Sequence, residues 1–223
     1  MARTARMVAP DMPHHVLQRG NRRQVVFFND GDREAYLLLL KEQCDLYGVN
    51  IWAYCLMDNH VHMIVVPKEE GSLARAMGET HKRYTRMINF REKWRGYLWQ
   101  DRFKSFVLDE RYVYAAVRYV ERNPVRAKVV RWAEDYRWSS AQAHVHGRKD
   151  PILSDFYLLD EIEDWSAYLK GDEQQDNLKL FRRHGESGRP LGDPARLMSL
   201  AVKYGWDLTP KKPGPKPKNS VLN

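Results

Sequence analysis

The spacing of hydrophobic positions alternates between strand-like and helix-like segments along the chain. The stretch 14–20 alternates weakly and ends in glycine, which predicts a short first strand followed by a polar, arginine-rich loop. Apolar residues at helical spacing predict a helix that Asp30 or Asp32 caps and that Gly48 ends. Two strands rich in β-branched and aromatic residues follow, and Asp58–Asn59 between them predicts a two-residue hairpin turn.

The next segments complete this alternation. From Ser72 to Trp94 the apolar residues follow a helical period and basic residues line another face, which predicts a long amphipathic helix. The stretch 97–109 predicts a strand, and Asp109 stands where it can cap a further helix that must end near Pro124. This order of elements predicts an α+β fold, a ferredoxin-like antiparallel sheet with helices on one face and an extra terminal helix.

The composition changes along the chain and predicts three units. We expect a main domain over residues 1–147, an acidic connecting segment over 148–184, and a basic, partly disordered C-terminal tail over 185–223. A short helix is predicted at Pro194–Tyr204. The final stretch, 209–223, carries four lysines and no acid, and its composition cannot bury a core, so we expect it to contact phosphates without a fixed structure.

The net charge of +8 is distributed unevenly. Between Pro151 and Asp176 eight acidic residues oppose a single base, Lys170, and this local charge of −7 leaves the rest of the chain at +15. Such asymmetry favours a polyanionic partner. Nucleic acid is favoured over a membrane surface, because no basic amphipathic anchor with an aromatic face is present.

Several classes of protein do not fit this sequence. No apolar run approaches the roughly 20 residues of a membrane-spanning helix, and the N-terminus lacks the apolar core of a secretory signal. We therefore expect a cytoplasmic, nucleoid-associated protein with no membrane partner and no small-molecule substrate. Cys44 and Cys55 have no CxxC partner, so we expect buried, reduced thiols.

Two histidines stand two residues apart in the third predicted strand. Because alternate residues of a strand face the same side, His60 and His62 project together and can hold one metal ion. Such a pair, taken alone, is more often two half-exposed imidazoles that bind no metal. Its ligand chemistry leaves the ion open: imidazole suits manganese or zinc better than magnesium.

A tyrosine and an asparagine stand four residues apart at the end of the last core helix. This spacing puts Tyr119 and Asn123 on one helical face, where they can act together. Each also has a structural interpretation, since most helical tyrosines pack with a solvated tip and Asn123 precedes the proline that stops the helix. The joint occurrence of the histidine pair, the tyrosine with the asparagine and a basic surface favours phosphate chemistry, with tyrosine as the nucleophile.

Four strings carry a resemblance to a known family. They are "HHVLQRGNRRQVVF", "MDNHVHMIVVP", "YLWQDRFKS" and "RYVERNPVRAKVV", and they occur in that family's order. Together they resemble the REP-associated tyrosine transposases, which belong with the bacterial single-strand insertion-sequence transposases of the HUH superfamily. The resemblance spans about residues 13–144, so the main domain is identified as an HUH tyrosine transposase domain.

The resemblance implies roles for particular residues. Tyr119 corresponds to the catalytic tyrosine that forms a 5′-phosphotyrosyl link, His60 and His62 to the metal ligands, and Asn123 to the third metal-contacting side chain. The implied cofactor is a divalent metal, magnesium or manganese. We expect the DNA contacts to come from the arginine-rich first loop, from the basic helix stripe and from the predicted fourth strand. The residues are Arg19, Asn21, Arg22, Arg75, Lys82, Arg86 and Arg102.

The implied activity is that of a single-strand DNA endonuclease and strand transferase. A folded repeat in single-stranded DNA, a hairpin, is the implied partner, and a monomer is favoured although a homodimer fits as well. Two alternatives stay open: a relaxase or replication-initiator nickase, and a non-catalytic hairpin-binding regulator. Four aromatic residues are further candidates for stacking on unpaired bases, although we expect most of them in the core: Trp52, Tyr54, Trp99 and Phe103.

Overall fold

A computed structural model describes residues 6–209 as four strands surrounded by nine helices. The strands are β1 (His14–Arg19), β2 (Val49–Met57), β3 (His60–Pro67) and β4 (Lys104–Val107). The long helices are α1 (Asp30–Tyr47), α2 (Ser72–Glu92), α3 (Glu110–Glu121), α8 (Gln175–Ser187) and α9 (Pro194–Tyr204). The short helices are α4 (Asn123–Arg126), α5 (Ala141–His146), α6 (Leu158–Glu161) and α7 (Trp165–Lys170).

The four strands form one antiparallel sheet in the order β2-β3-β1-β4. β1 thus lies between β3 and β4, and each of the helices α1 and α2 connects two parallel strands that have another strand between them. The right-handed crossover rule places both helices on one face of such a sheet. The ferredoxin-like α+β fold predicted from the order of elements is confirmed, and so is the hairpin turn at Asp58–Asn59.

The predicted start of α1 was wrong by one residue. Asn29 is the N-cap, and its side-chain oxygen accepts a hydrogen bond from the backbone N–H of Asp32 at 3.0 Å. The carboxylate of Asp32 is turned back and accepts from the backbone N–H of Phe28 at 2.8 Å. The two side chains therefore satisfy backbone donors reciprocally at the helix start. The predicted end is confirmed, because Gly48 follows the last turn at φ 65°.

The predicted fourth strand is shorter in the structure. Only Lys104–Val107 pairs with β1, and the residues before it form a loop that reaches the first loop of the chain. There Trp99 bridges to Gly20, and the backbone N–H of Asn21 donates to Leu98 at 2.8 Å. This loop is apolar enough to suggest a strand because Leu98, Trp99 and Phe103 are buried in the core.

The helix after β4 begins and ends close to the predicted positions, but neither end has the predicted interactions. Asp109 stands at the N-cap of α3, but its carboxylate makes no capping bond there and pairs with Arg196 of α9 at 3.1 Å. α3 ends at Glu121, before Pro124, and a second short helix, α4, starts at Asn123. Proline fits the first turn of a helix, so Pro124 begins α4 as well as ending the helical run of α3.

Both faces of the sheet are covered. Every residue of β3 after His60 is buried, which requires packing on both sides. On one side α1 and α2 pack against each other through Tyr36 and Tyr84, whose ring centroids lie 5.3 Å apart. Cys44 and Cys55 are buried free thiols, as predicted. Among residues 6–209, no helix is long and apolar enough to cross a membrane.

The C-terminal third contributes to the same hydrophobic core as the sheet. Phe156, Trp165 and Phe181 are buried in one cluster with the strands. The predicted helix at Pro194–Tyr204 is confirmed as α9. The division of the chain at residues 147 and 184 stays a prediction, and the four lysines of the C-terminal stretch lie outside the described residues.

Candidate active site

The two histidines of the HxH pair lie at the start of β3 and share one face of the sheet. Their ring centroids are 5.1 Å apart, and His62 is 4% exposed. His60 stands directly opposite Arg19 of β1 in the strand register. Because directly opposed residues of an antiparallel pair face the same side, Arg19 lies on the face that carries both histidines.

Each of the two histidines has one ring nitrogen engaged by a neighbouring side chain. Nδ1 of His62 is 2.9 Å from Nε2 of His15, which lies on β1, and the two rings stack at 5.1 Å. Nδ1 of His60 is 2.6 Å from the side-chain oxygen of Asn59, to which it donates. Such outer contacts fix ring orientation and leave Nε2 of each ring as the nitrogen that can bind a ligand.

Burial keeps these imidazoles neutral. It lowers the pKa of His60 to about 4, with a further lowering by the charge of Arg19. It also lowers the pKa of His62 well below its ordinary value, and the nearby His15 and His60 act in the same direction. Metal ions bind the unprotonated ring, so this environment favours the form that can act as a ligand.

Tyr119 lies in the last turn of α3 and packs over the histidines. Its ring centroid is 5.6 Å from that of His62 and 5.7 Å from that of His15, both edge to face. Phe181 of α8 covers the other side at 5.2 Å, and Tyr119 is only 8% exposed. The structure therefore brings the predicted nucleophile to the HxH pair and holds its ring between the sheet and α8.

Asn123 meets the site from a different helix than predicted. Because α3 ends two residues earlier, Tyr119 and Asn123 do not share one continuous helix. The side-chain nitrogen of Asn123 nevertheless lies 3.4 Å from Nε2 of His60. The nitrogen and oxygen of an amide are assigned from their surroundings, and a half-turn of this group presents its oxygen at the same place.

Arg126 is a residue of the site that the sequence analysis did not identify. Its guanidinium carbon lies 4.1 Å from the centroid of the Tyr119 ring, and its Nη2 donates to the Tyr119 carbonyl at 2.6 Å. Its other terminal nitrogen pairs with Glu173 at 2.8 Å. Arg126 lies in α4, beyond the end of α3, so no continuous helical spacing links it to Tyr119 in the sequence.

The first loop lies beside the histidines because Gly20 allows a close turn. A Cβ at Gly20 would stand 2.3 Å from the carbonyl oxygen of Gln24, a distance that no other residue type permits. Arg22 follows at φ 51° and is exposed. The structure thus places Arg19, Asn21 and Arg22 at the end of the sheet where His60 begins.

The other predicted DNA contacts are spread more widely. Arg75 lies in the first turn of α2, close to the far end of β3, and pairs with Glu69 at 3.1 Å. Lys82 pairs with Glu79 at 2.5 Å. Arg86 and Arg102 are exposed, and Arg86 makes no ion pair with any residue between 6 and 209. The basic stripe therefore runs along α2, and only its C-terminal part approaches the first loop.

The donor set fits a divalent ion held by two imidazoles and an amide. Residues 6–209 contain no cluster of three or more His, Cys, Asp or Glu side chains arranged to hold a metal. The candidate set is different in kind, since its third member is the amide of Asn123 beside His60. Two neutral imidazoles and an amide leave the charge of an ion uncompensated and positions open for phosphate oxygens.

A sequence model of the family described as "Transposase IS200 like" matches residues 9–123, just over half of the chain. The chain belongs to the IS200-like transposases. The matched range includes His60, His62 and Tyr119 and ends at Asn123, so Arg126 and α8 lie beyond it. A search of curated proteins found no match.

This transposase is also similar to solved structures. A REP-associated tyrosine transposase bound to a REP hairpin superposes with a TM-score of 0.57 at 18% identity, over 70% of this chain and 93% of that one. A candidate transposase from Deinococcus radiodurans R1 matches at 16% identity with a TM-score of 0.38, over 57% and 92% of the two chains. The first similarity is one of fold: this transposase shares its ferredoxin-like core with that structure.

Proposed function

We propose that this transposase cuts and rejoins single-stranded DNA beside hairpin repeats, with Tyr119 as the nucleophile. The placement of Tyr119 against His62, at 5.6 Å between ring centroids, carries the proposal. A tyrosine that served only packing would have no need of a neutral histidine pair and an arginine at its ring. Membership of a transposase family supports a reaction on DNA.

We propose that His60, His62 and Asn123 hold a divalent metal, magnesium or manganese, at this position. When bound, such an ion would polarise the scissile phosphate and neutralise its charge. His15 and Asn59 orient the two imidazoles through their Nδ1 atoms. Removal of metal by a chelator is therefore expected to abolish cutting, and addition of Mn²⁺ or Mg²⁺ is expected to restore it.

In the proposed reaction the phenolic oxygen of Tyr119 attacks the phosphorus of one phosphodiester. The new bond is a 5′-phosphotyrosyl ester, and the bond between phosphorus and the 3′ oxygen breaks. The proton lost by the phenol is balanced by the proton gained by that oxygen, which leaves as a free 3′ hydroxyl. Attack by a 3′ hydroxyl reverses these steps and rejoins DNA without an external energy source. The guanidinium of Arg126 lies 4.1 Å from the tyrosine ring, where its charge stabilises developing negative charge on the phenolic oxygen.

Hairpin DNA is the proposed substrate because of charge and of one relative. The chain outside the acidic stretch carries +15, a charge that suits the backbone of a nucleic acid. The similar tyrosine transposase has been solved with a REP hairpin bound. Exposed Arg22 and Arg102 flank the end of the sheet at which His60 begins, so they are the proposed first contacts with the hairpin.

A covalent-adduct assay tests the proposal. The protein is incubated with a labelled single-stranded hairpin from its own genomic surroundings and Mn²⁺, and the products are separated under denaturing conditions. We expect a metal-dependent protein–DNA adduct that Tyr119→Phe abolishes and that Tyr114→Phe, on an exposed face of the same helix, retains. Hairpin binding without any adduct, over several metals and flanking sequences, would instead indicate a non-catalytic regulator.

A further inference from the structure

An exposed aromatic cluster lies at the C-terminal end of α2 and in the loop that follows it. Phe90 is 90% exposed and Tyr97 is 86% exposed, which makes them the most exposed large apolar side chains among residues 6–209. Trp94 stands between them, 44% exposed. Aromatic rings left in water cost free energy unless a partner covers them, so two within eight residues indicate a binding surface.

Phe90 and Trp94 of this cluster line an open groove that is strongly basic. The groove has a volume of about 1000 Å³, and no acidic residue lines it. Arg86, Lys93 and Arg95 line it and form no ion pair with any residue in the described range 6–209. Arg83, a fourth lining residue, pairs with Glu42 at 2.8 Å. Unpaired cations beside exposed rings select an anionic ligand that also has flat, stackable groups.

The end of the helix holds this surface in a fixed shape. Lys93 ends α2 in the left-handed conformation at φ 56°, and the backbone N–H of Trp94 then donates to Asn89 at 2.9 Å. The Trp94 ring packs edge to face on Phe28 at 5.7 Å. The side chain of Asn89 donates to the carbonyl of Gly96 at 3.0 Å, which closes the loop. A ligand therefore meets a preformed platform.

The groove is connected to the proposed active site by hydrogen bonds. The backbone N–H of Asn21 donates to Leu98 at 2.8 Å, and the backbone N–H of Gln100 donates to Arg19 at 2.9 Å. Arg19 in turn stands opposite His60 in the sheet. A DNA strand that leaves the histidine pair along the first loop is thus directed towards Tyr97.

We propose that this groove, together with Tyr97 in the loop beside it, binds unpaired nucleotides that flank the hairpin, with bases stacked on Phe90 and Tyr97 and phosphates on Arg86, Lys93 and Arg95. The inference rests on the proposed function, since it assumes that the substrate is single-stranded at that side. A second copy of this chain is a poorer occupant. A symmetric dimer through the groove would bring its unpaired cations against their own equivalents.

The test compares two DNA probes by fluorescence anisotropy with the full-length protein. One is a blunt hairpin, and the other carries an unpaired extension of eight thymidines next to the stem. We expect the wild-type protein to bind the extended probe at least tenfold more tightly, since each stacked base contributes about 1–3 kcal/mol. The double variant Phe90→Ser/Tyr97→Ser should lose that difference.

Two controls make the result decisive. Leu38→Ser removes another exposed apolar side chain, on α1, and should preserve the preference for the extended probe. Because Phe90 and Tyr97 are exposed, the double variant should unfold at the wild-type temperature, which circular dichroism checks. Photocrosslinking from 5-iododeoxyuridine in the extension should map to the peptide that contains Phe90 or Tyr97.

If the double variant binds the extended probe as tightly as the wild-type protein does, or if the crosslink maps to another peptide, the assignment of the groove is overturned. Either result would leave the proposed function standing if the wild-type protein still formed the covalent adduct. A wild-type dimer that the double variant converts to a monomer, with DNA affinity unchanged, would assign the groove to a second copy and likewise overturn the proposal.

Discussion

Removal of the Glu121 carboxylate is the sharpest test of how the C-terminal third is joined to the sheet. Glu121 ends α3, two residues after Tyr119, and is 0% exposed. One carboxylate oxygen accepts from the Ser140 hydroxyl at 2.5 Å and from Nδ1 of His144 at 2.6 Å, and the other accepts from the indole N–H of Trp165 at 2.8 Å. One side chain thus links α3 to α5 and α7.

The expected loss is large. Hydrogen bonds to a charged acceptor contribute about 1.5–3 kcal/mol each, but contributions within one network are not additive. Glu121→Ala leaves three buried donors without an acceptor, and we expect the free energy of unfolding to fall by about 3–5 kcal/mol. Glu121→Gln should cost less, about 1–3 kcal/mol, because its carbonyl replaces one oxygen while its amide opposes the indole N–H.

Urea unfolding followed by tryptophan fluorescence and far-ultraviolet circular dichroism measures both changes. Glu163→Ala removes an exposed carboxylate from the acidic stretch; it is the control and should change the free energy by less than about 0.5 kcal/mol. If Glu121→Ala lowers the free energy by less than about 1 kcal/mol, the carboxylate does not hold the helices together and the reasoning is refuted.

Three further predictions concern stability. Glu173→Gln breaks a largely buried ion pair with Arg126 and should lower the free energy of unfolding by about 2–3 kcal/mol in a urea titration. A urea midpoint equal to that of the wild type would contradict this prediction. Asn29→Ala removes the cap of α1 and should cost about 1 kcal/mol, whereas Asn29→Asp should cost little. Burial lowers the pKa of His81 to about 3. Below about pH 6.5 the unfolded chain therefore binds a proton at His81 that the folded chain does not bind, and the free energy of unfolding decreases as the pH falls. His81→Gln should remove up to about 1.4 kcal/mol per pH unit from that slope, and a slope equal to the wild type would show that His81 is not held neutral.

The sequence predicted the parts of the fold that depend on short-range patterns. The hairpin at Asp58–Asn59, the glycine end of α1 and the bounds of α9 follow from local spacing and turn chemistry, and all three are confirmed. The length of β4 could not be predicted in this way. The apolar residues Leu98, Trp99 and Phe103 before it pack into the core from a loop, and hydrophobic periodicity alone does not distinguish such a loop from a strand.

The candidate site divides along the same line. His60 and His62 were predicted from a two-residue spacing and do lie on one face. His15 and Phe181 contact Tyr119 from segments 104 and 62 residues away in the chain, and no local pattern marks them. Of the predicted stacking candidates, Tyr54, Trp99 and Phe103 are buried, whereas Phe90 and Tyr97 are exposed. Hydrophobicity does not distinguish a ring in the core from a ring in a groove.

The pairing of β1 with β3 limits how the gene for this protein can vary. His15 contacts His62, and Arg19 stands opposite His60, only because the two strands pair in one particular register. Deletion of a single codon within β1 would turn every later side chain of that strand to the other face. A sheet could still form, but the face that brings His15, Arg19 and the histidine pair together would be lost. Tolerated insertions and deletions should therefore fall in the loops and spare both strands.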